Sequence, residues 1–318
     1  MIIVTGAAGF IGSNIIAHLN NKGFVDIVAV DDFSHPEKNK NLEKKKIRQQ
    51  LHRDMFIPWI KDNHRFIQFI IHIGARTDTA EWNTAIFDKL NLNYSKDLWK
   101  QCVEYGLPLI YASSAATYGN GEYGYSDNHA GIDRLKPLNP YGWSKQHFDK
   151  WAIEQKEQPY FWAGLKFFNV YGPNEYHKGR MASVIFHAYK QIQQSGKVLL
   201  FRSHRSDIAD GQQSRDFIYV KDICDIVYFF MHHRKDSGIY NAGTGTARSF
   251  NDLAIAIFNA MHKTPNISYI DIPEDIRDKY QYYTCAEMQK LQSIGYKKTF
   301  HTLEEGCIDY VNNYLKKQ

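Results

Sequence analysis

The sequence predicts an α/β chain built on a doubly wound parallel sheet, with a smaller mixed α/β region toward the C-terminus. Three observations carry this. Short runs of branched apolar residues alternate with stretches whose apolar residues recur at helical spacing. A glycine-rich turn, Gly6-Ala7-Ala8-Gly9-Phe10-Ile11-Gly12, follows the first run, and an acidic pair, Asp31-Asp32, closes the second. Continuous apolar strands separated by helices are the pattern of a parallel sheet buried on both faces.

The elements follow in order. Residues 2–5 read as a buried strand, and Ile11, Ile15, Ile16 and Leu19 as one face of a helix that stops at Gly23. Strands are predicted at 27–30, 69–73, 107–112 and 163–168, with helical patterns between them. Gly172-Pro173 breaks the pattern, 202–214 is polar and loop-like, and strand-like runs at 217–220 and 238–241 return toward the first domain. The expected domains are 1–170, with returns at about 215–245, and a substrate domain of 171–214 and 246–318.

Lysine plus arginine is 39 against 34 acids, a net charge of +5. Residues 35–53 alone hold seven basic groups and two acids. Two readings of that segment stand: a solvated helix face, or a patch facing a phosphate. A nucleic-acid partner is not expected, because no aromatic residues interleave the charges and the rest of the chain is balanced. Four cysteines without a C-x-x-C pair read as reduced thiols in a cytosol. No secretory signal, membrane span or metal site is expected; the most apolar run, 66–73, is too short to cross a bilayer.

Gly6, Gly9 and Gly12 sit between a predicted strand and a predicted helix. Glycine there permits a tight turn and lets backbone N–H groups approach a pyrophosphate at the helix start, the Rossmann arrangement. Asp31 lies 19 residues after Gly12, near the spacing of a ribose-binding acid. For the cofactor the bare residues leave two choices open. Asp31 and Asp32 would repel a 2′-phosphate, whereas Lys38 and Arg53 would neutralise one.

Tyr141 and Lys145 are four apart and share one face of a predicted helix. A phenol titrates near 10 and is a poor base at neutral pH. An ammonium about 4 Å away contributes up to ~4 kcal/mol at an effective dielectric of ~20, roughly three pKa units. Upstream, Ser114 ends a strand and is placed to reach a crevice at the sheet's carboxyl edge, or simply to cap the next turn.

The glycine turn, the strand end Ser113-Ser114-Ala115-Ala116-Thr117-Tyr118-Gly119, the Tyr141-x-x-x-Lys145 helix and the stretch 215–222 together resemble the extended short-chain dehydrogenase/reductase family over nearly the whole chain. The resemblance implies Ser114, Tyr141 and Lys145 as a catalytic triad. Dehydratases of that family carry an Asp-Glu pair just after the serine; Ala115 and Ala116 stand here, and alanine cannot exchange protons, so elimination is disfavoured.

The stretch 168–184, with Thr79-Ala80-Glu81-Trp82 and Lys279-Tyr280-Gln281, resembles the heptose 6-epimerase branch. That resemblance implies inversion of C6″ of ADP-D-glycero-D-manno-heptose through a transient keto sugar, for lipopolysaccharide core precursors. It also implies bound NADP, a homopentamer in the cytoplasm, and Lys178 as a second acid/base beside Tyr141. Hydride must leave C6″ from one face and return to the other, so O6″ occupies two places and two proton-transfer groups are useful. The implied substrate contacts are Asn169, Arg180, His187, Phe201, Arg202, Ser203, His204, Arg215 and Tyr280. The implied cofactor contacts are Phe10, Ile11, Asp31, Asp32, Lys38, Arg53, Ile73, Gly74, Ala75, Arg76, Thr77, Asn91, Val170 and Lys178, with Lys145.

Some positions depart from that pattern. Asp32 replaces an asparagine, which keeps NAD as the alternative cofactor. Leu90 stands where a cofactor-contacting asparagine is expected, with Asn91 adjacent. Arg76 and Arg180 replace smaller residues, and the 205–214 loop is longer. The competing function is another nucleotide-sugar 4-epimerase or a reductase of the same family.

Overall fold

The computed structural model describes residues 1–277 and 280–317. Lys279 of the Lys279-Tyr280-Gln281 motif lies outside them. The strands in chain order are β1 (Ile2–Thr5), β2 (Ile27–Asp31), β3 (Gln49–His52), β4 (Phe69–His72), β5 (Leu109–Ser114), β6 (Trp162–Phe167), β7 (Asn169–Tyr171), β8 (Val198–Phe201), β9 (Ser214–Tyr219), β10 (Gly238–Ala242), β11 (Ala247–Ser249) and β12 (Ile267–Ile270).

Seven of these form one parallel sheet in the order β10-β6-β5-β4-β1-β2-β3. Every residue of β1, β2, β4, β5, β6 and β10 is buried, which requires cover on both faces. Helices Phe10–Asn21 and Val220–His232 pack on each other, Arg53–Asn63 packs on Tyr94–Glu104, and Pro140–Glu154 lies against β5. β1 and β4 are neighbours, and their carboxyl ends open the crevice where such sheets hold ligands.

The C-terminal region is built on a second apolar core. Helices Val184–Ser195, Phe250–Ala260 and Leu303–Asn313 meet there with the three-stranded sheet β11-β9-β7 and the pair β12-β8. Capping boxes start two of these helices, at Ser249/Asp252 and Thr302/Glu305.

Two expectations change. The run at 217–220 does not join the main sheet. β9 lies between the two cores, with Ile218 in the first and Phe217 and Tyr219 in the second, so its alternating faces tie the regions together. The basic segment is not one helix either. It forms a four-residue helix (Pro36–Asn39), a short turn, and the edge strand β3, whose residues are mostly exposed. Lys38 and Arg53 fold back to the end of β2, while Lys40 pairs with Glu37 and Arg48 with Asp26.

Candidate active site

The glycine turn is shaped by close backbone approach. Gly6 has φ +65°, and a Cβ there would stand 2.7 Å from the Gly74 backbone. A Cβ on Gly12 would sit 2.2 Å from the Gly6 carbonyl oxygen, so this position admits glycine alone. Gly9 caps helix Phe10–Asn21 with no side-chain hydrogen bond, and no acid occupies its first turn. The first-turn N–H groups thus face the crevice as a site for an anion.

Asp31, at the end of β2, holds this turn. One carboxylate oxygen accepts from Ala8 N at 2.9 Å; the other accepts from Asp32 N at 2.7 Å and from Lys38 Nζ at 2.5 Å. Asp32 pairs with Arg53 at 3.0 Å, and the Ser34 hydrogen bonds pull its carboxyl down to about 2. The two acids and two cations form two neighbouring ion pairs.

Across the crevice, residues 73–77 leave β4. Gly74 N donates to Thr5 Oγ1 at 3.1 Å, and that hydroxyl also meets His72 Nδ1 at 2.6 Å. Ser95 donates to the Asn91 carbonyl, so its oxygen accepts from His72 Nε2, which assigns the histidine tautomer. Burial keeps this imidazole neutral, its pKa pulled down to about 3. Asn91 is buried within a π-helical turn, Asp88–Asn93. Its amide accepts from Arg76 N and donates to Arg76 O and to Ser144 Oγ, joining the 73–77 loop to helix Pro140–Glu154.

That helix begins with Asn139 accepting from Gly142 N at 2.8 Å and with Pro140 in the first turn. A Cβ on Gly142 would lie 2.9 Å from the Ala116 carbonyl, so glycine lets the helix start press against the turn that follows Ser114. Tyr141 is thereby brought to the end of β5. Ser114 both caps that turn, accepting from Ala116 N at 3.1 Å, and lowers the Tyr141 phenol by hydrogen bonding.

The lowering of Tyr141 by Lys145 expected from their spacing is corrected. Lys145 turns its ammonium to the Ala112 carbonyl at 2.7 Å. Desolvation raises the Tyr141 phenol, and desolvation pulls Lys145 down to about 8, with Asp149 opposing. Helical spacing places two side chains on one face; it does not decide which acceptor a long lysine reaches.

Lys178 comes from the 172–183 loop, which is pinned to the glycine turn. Asn14 donates to Pro173 O at 2.8 Å, Asn174 donates to Ser13 Oγ at 2.9 Å, and buried Asn41 donates to both Ala8 O and Asn174 O at 3.0 Å. Glu175 closes the loop by accepting from Gly172 N and from the Ser183 backbone and hydroxyl. The result sets the Lys178 ammonium 5.7 Å from the Phe10 ring centroid, beside the helix start. Burial lowers its pKa and Glu175 opposes.

Lys178, Asn169, Val170, Ser183, Phe217 and Phe250 line a cavity of about 270 Å³. Beyond it, Arg215 is buried between the Phe250 and Tyr280 rings, at 5.5 and 5.4 Å, and Phe201 meets Tyr280 edge-on at 6.0 Å. His187 stands on helix Val184–Ser195, next to Phe186. Arg202, Ser203 and His204 are instead engaged with Asp210 of their own loop and with the segment after β12: Arg202 with Asp210 and Asp271, Ser203 N with Asp210, and His204 Nε2 with Ile272 N. Arg76 and Arg180 both reach Asp78, at 3.5 and 3.3 Å, which links the loops on either side of the crevice.

A sequence profile described as the NAD dependent epimerase/dehydratase family matches residues 2–243. The chain belongs to that family. Among curated relatives, ADP-L-glycero-D-manno-heptose-6-epimerase of Fusobacterium nucleatum is 48% identical, covering 100% of this chain and 99% of its own. The enzyme of that name from Nitratidesulfovibrio vulgaris is also 48% identical, over 99% of this chain and 98% of its own. The crystal structure of Helicobacter pylori ADP-L-glycero-D-manno-heptose-6-epimerase superposes with a TM-score of 0.80 at 27% identity, over 98% of this chain and 95% of that one.

The residues fit the dinucleotide of an NAD dependent epimerase/dehydratase. The uncapped helix start, the glycines that a Cβ would block, and the charged cluster at the end of β2 match a pyrophosphate and a ribose in chemistry and order along the sheet edge. Sequence reasoning missed Asn14, Asn41, Asn174 and Glu175, which seat Lys178. The contacts by which these asparagines join the glycine-turn side to the Lys178 loop span 133–161 residues, and isolated asparagines carry no pattern.

Proposed function

We propose that this member of the family inverts C6″ of ADP-D-glycero-D-manno-heptose to the L-glycero epimer, through a transient keto sugar and with NADP bound. The observation that carries the reading is the seating of Lys178: a second proton-transfer group is pinned at the glycine turn, in addition to Tyr141 at the end of β5. The names of relatives 48% identical over the full chain support the ADP-heptose substrate.

A nicotinamide dinucleotide, when bound, supplies reversible hydride acceptance at the sugar carbon. The chain does the rest. The helix start and Gly6–Gly12 turn hold the pyrophosphate, and the Asp31 end of β2 meets the ribose. Lys38 and Arg53, ion-paired to Asp31 and Asp32, are the cations that a 2′-phosphate at this end would engage, and NAD is the alternative. Arg215 takes the substrate diphosphate, with Tyr280 and Phe201 beside it. Tyr141 exchanges a proton with O6″ in one pose of the sugar and Lys178 in the other. Burial suits Lys178 to this, because a lowered pKa raises the fraction of neutral amine near neutral pH. Cytoplasmic supply of heptose for lipopolysaccharide core, by a homopentamer, belongs to the same proposal; no helix among the described residues is long and apolar enough to cross a membrane.

The test incubates purified protein with ADP-D-glycero-D-manno-heptose and follows configuration at C6″, beside UDP-glucose and UDP-N-acetylglucosamine. Inversion of the heptose alone is expected, with NADP released on denaturation and recognised by mass. Turnover of a UDP-sugar alone would establish the 4-epimerase reading instead.

A pH dependence follows from Lys145. Its ammonium is lost as pH rises through about 8. With that charge serving the cofactor ribose, turnover is expected to fall on the alkaline side of about 8. A kcat profile that stays flat to pH 10 would remove the charge from the mechanism.

A further inference from the structure

Behind the catalytic helix lies an ion pair that no step above uses. Asp149 and Lys166 are 0% and 2% exposed, with Lys166 Nζ 2.8 Å from Asp149 Oδ2. Removing two charges from water costs several kcal/mol each, and their attraction offsets this only with excellent geometry and further hydrogen bonds. Those bonds are present. Asp149 also accepts from Ser113 Oγ at 2.6 Å and from Tyr111 OH at 3.1 Å. Lys166 donates to Thr117 Oγ1 at 2.6 Å and lies 5.0 Å from the Tyr118 ring centroid. Space is made for the cluster: a Cβ on Gly164 would stand 2.4 Å from the Tyr111 hydroxyl.

The partners connect to the catalytic groups. Asp149 is one turn beyond Lys145 and two beyond Tyr141 on the same helix. Ser113 precedes Ser114, and Thr117 donates to the Ser114 carbonyl at 2.8 Å. Resting on the site reading above, we propose that Asp149 and Lys166 are positioning residues: the pair locks the Ser114 turn to the Tyr141 helix, and the carboxylate is the counter-charge to the Lys145 ammonium one turn away.

The groups facing Lys145 sustain the second half. Asp149 favours its charged form against desolvation. Tyr141 on its own helix and His72 from β4 are neutral at working pH, both held so by burial. β5 contributes the Ala112 carbonyl, and Lys166 from β6 stands behind Asp149. Removing the carboxylate therefore lowers the Lys145 pKa, and removing Lys166 leaves the carboxylate uncompensated and raises it.

The test records kcat against pH for the full-length enzyme with its bound dinucleotide, for Asp149→Asn, Lys166→Met and the double variant, with Tyr141→Phe in parallel. The alkaline limb is expected to move down by about half a pH unit or more in Asp149→Asn and up in Lys166→Met. The double variant removes both members of the buried pair, so neither is left uncompensated and it is expected to fold where a single variant fails; its limb is expected below wild type because Lys145 has lost the carboxylate. A role in packing alone would lower melting temperature and kcat without moving the limb. Unmoved limbs in the soluble variants overturn the proposal. A Tyr141→Phe enzyme that keeps its turnover would instead sink the site reading itself.

Discussion

Tyr141→Phe is expected to lower turnover by about 10² to 10⁴-fold, the usual worth of a positioned acid/base. The phenylalanine retains the ring, its packing 6.4 Å from Phe87, and the helix start capped by Asn139. The variant should therefore fold, melt near wild type and keep its dinucleotide, because the glycine turn and the Asp31 cluster lie on other elements. Only the oxygen beside Ser114 is removed. Turnover within tenfold of wild type, with the cofactor still bound, would show that another group moves this proton.

Lys178→Met is expected to have an effect of similar size, about 10² to 10⁴-fold. Methionine keeps an unbranched apolar side chain of similar length while removing the ammonium beside Phe10, and it leaves Glu175 joined to Gly172 and Ser183, so the loop stays closed. Inversion needs a proton carrier in each pose of the sugar, so loss of either group blocks net conversion from both epimers. Near-full activity in this variant would remove the two-base scheme while leaving Tyr141 untouched. Dinucleotide content, measured by mass after denaturation, separates loss of chemistry from loss of cofactor.

These effects differ in how readily the chain announces them. Tyr141 and Lys145 are four residues apart, and Ser114 ends an apolar run, so periodicity alone brings them into view. Lys178 is one of many lysines, and its role was legible only through resemblance. Its seating by Asn14, Asn41 and Asn174 depends on side-chain amides meeting backbone groups from distant segments. The 201–204 stretch shows the reverse. Resemblance groups four residues as substrate contacts, yet only Phe201 meets the Tyr280 ring, because Arg202 and Ser203 find Asp210 in their own loop and Arg202 and His204 find Asp271 and Ile272 N just after β12.

The parallel sheet, the glycine turn at its first crossover and the acidic end of the second strand are legible in the order of residues alone. Local rules suffice there: burial on both faces demands unbroken apolar runs, and a turn whose carbonyl would touch a Cβ demands glycine. Where β9 goes, which acceptor the Lys145 ammonium takes, and the meeting of Asp149 with Lys166 behind the catalytic helix emerge only once the chain is folded. Each of those depends on groups from separate elements choosing one another, and charge or hydrogen bonding between them leaves no periodic trace.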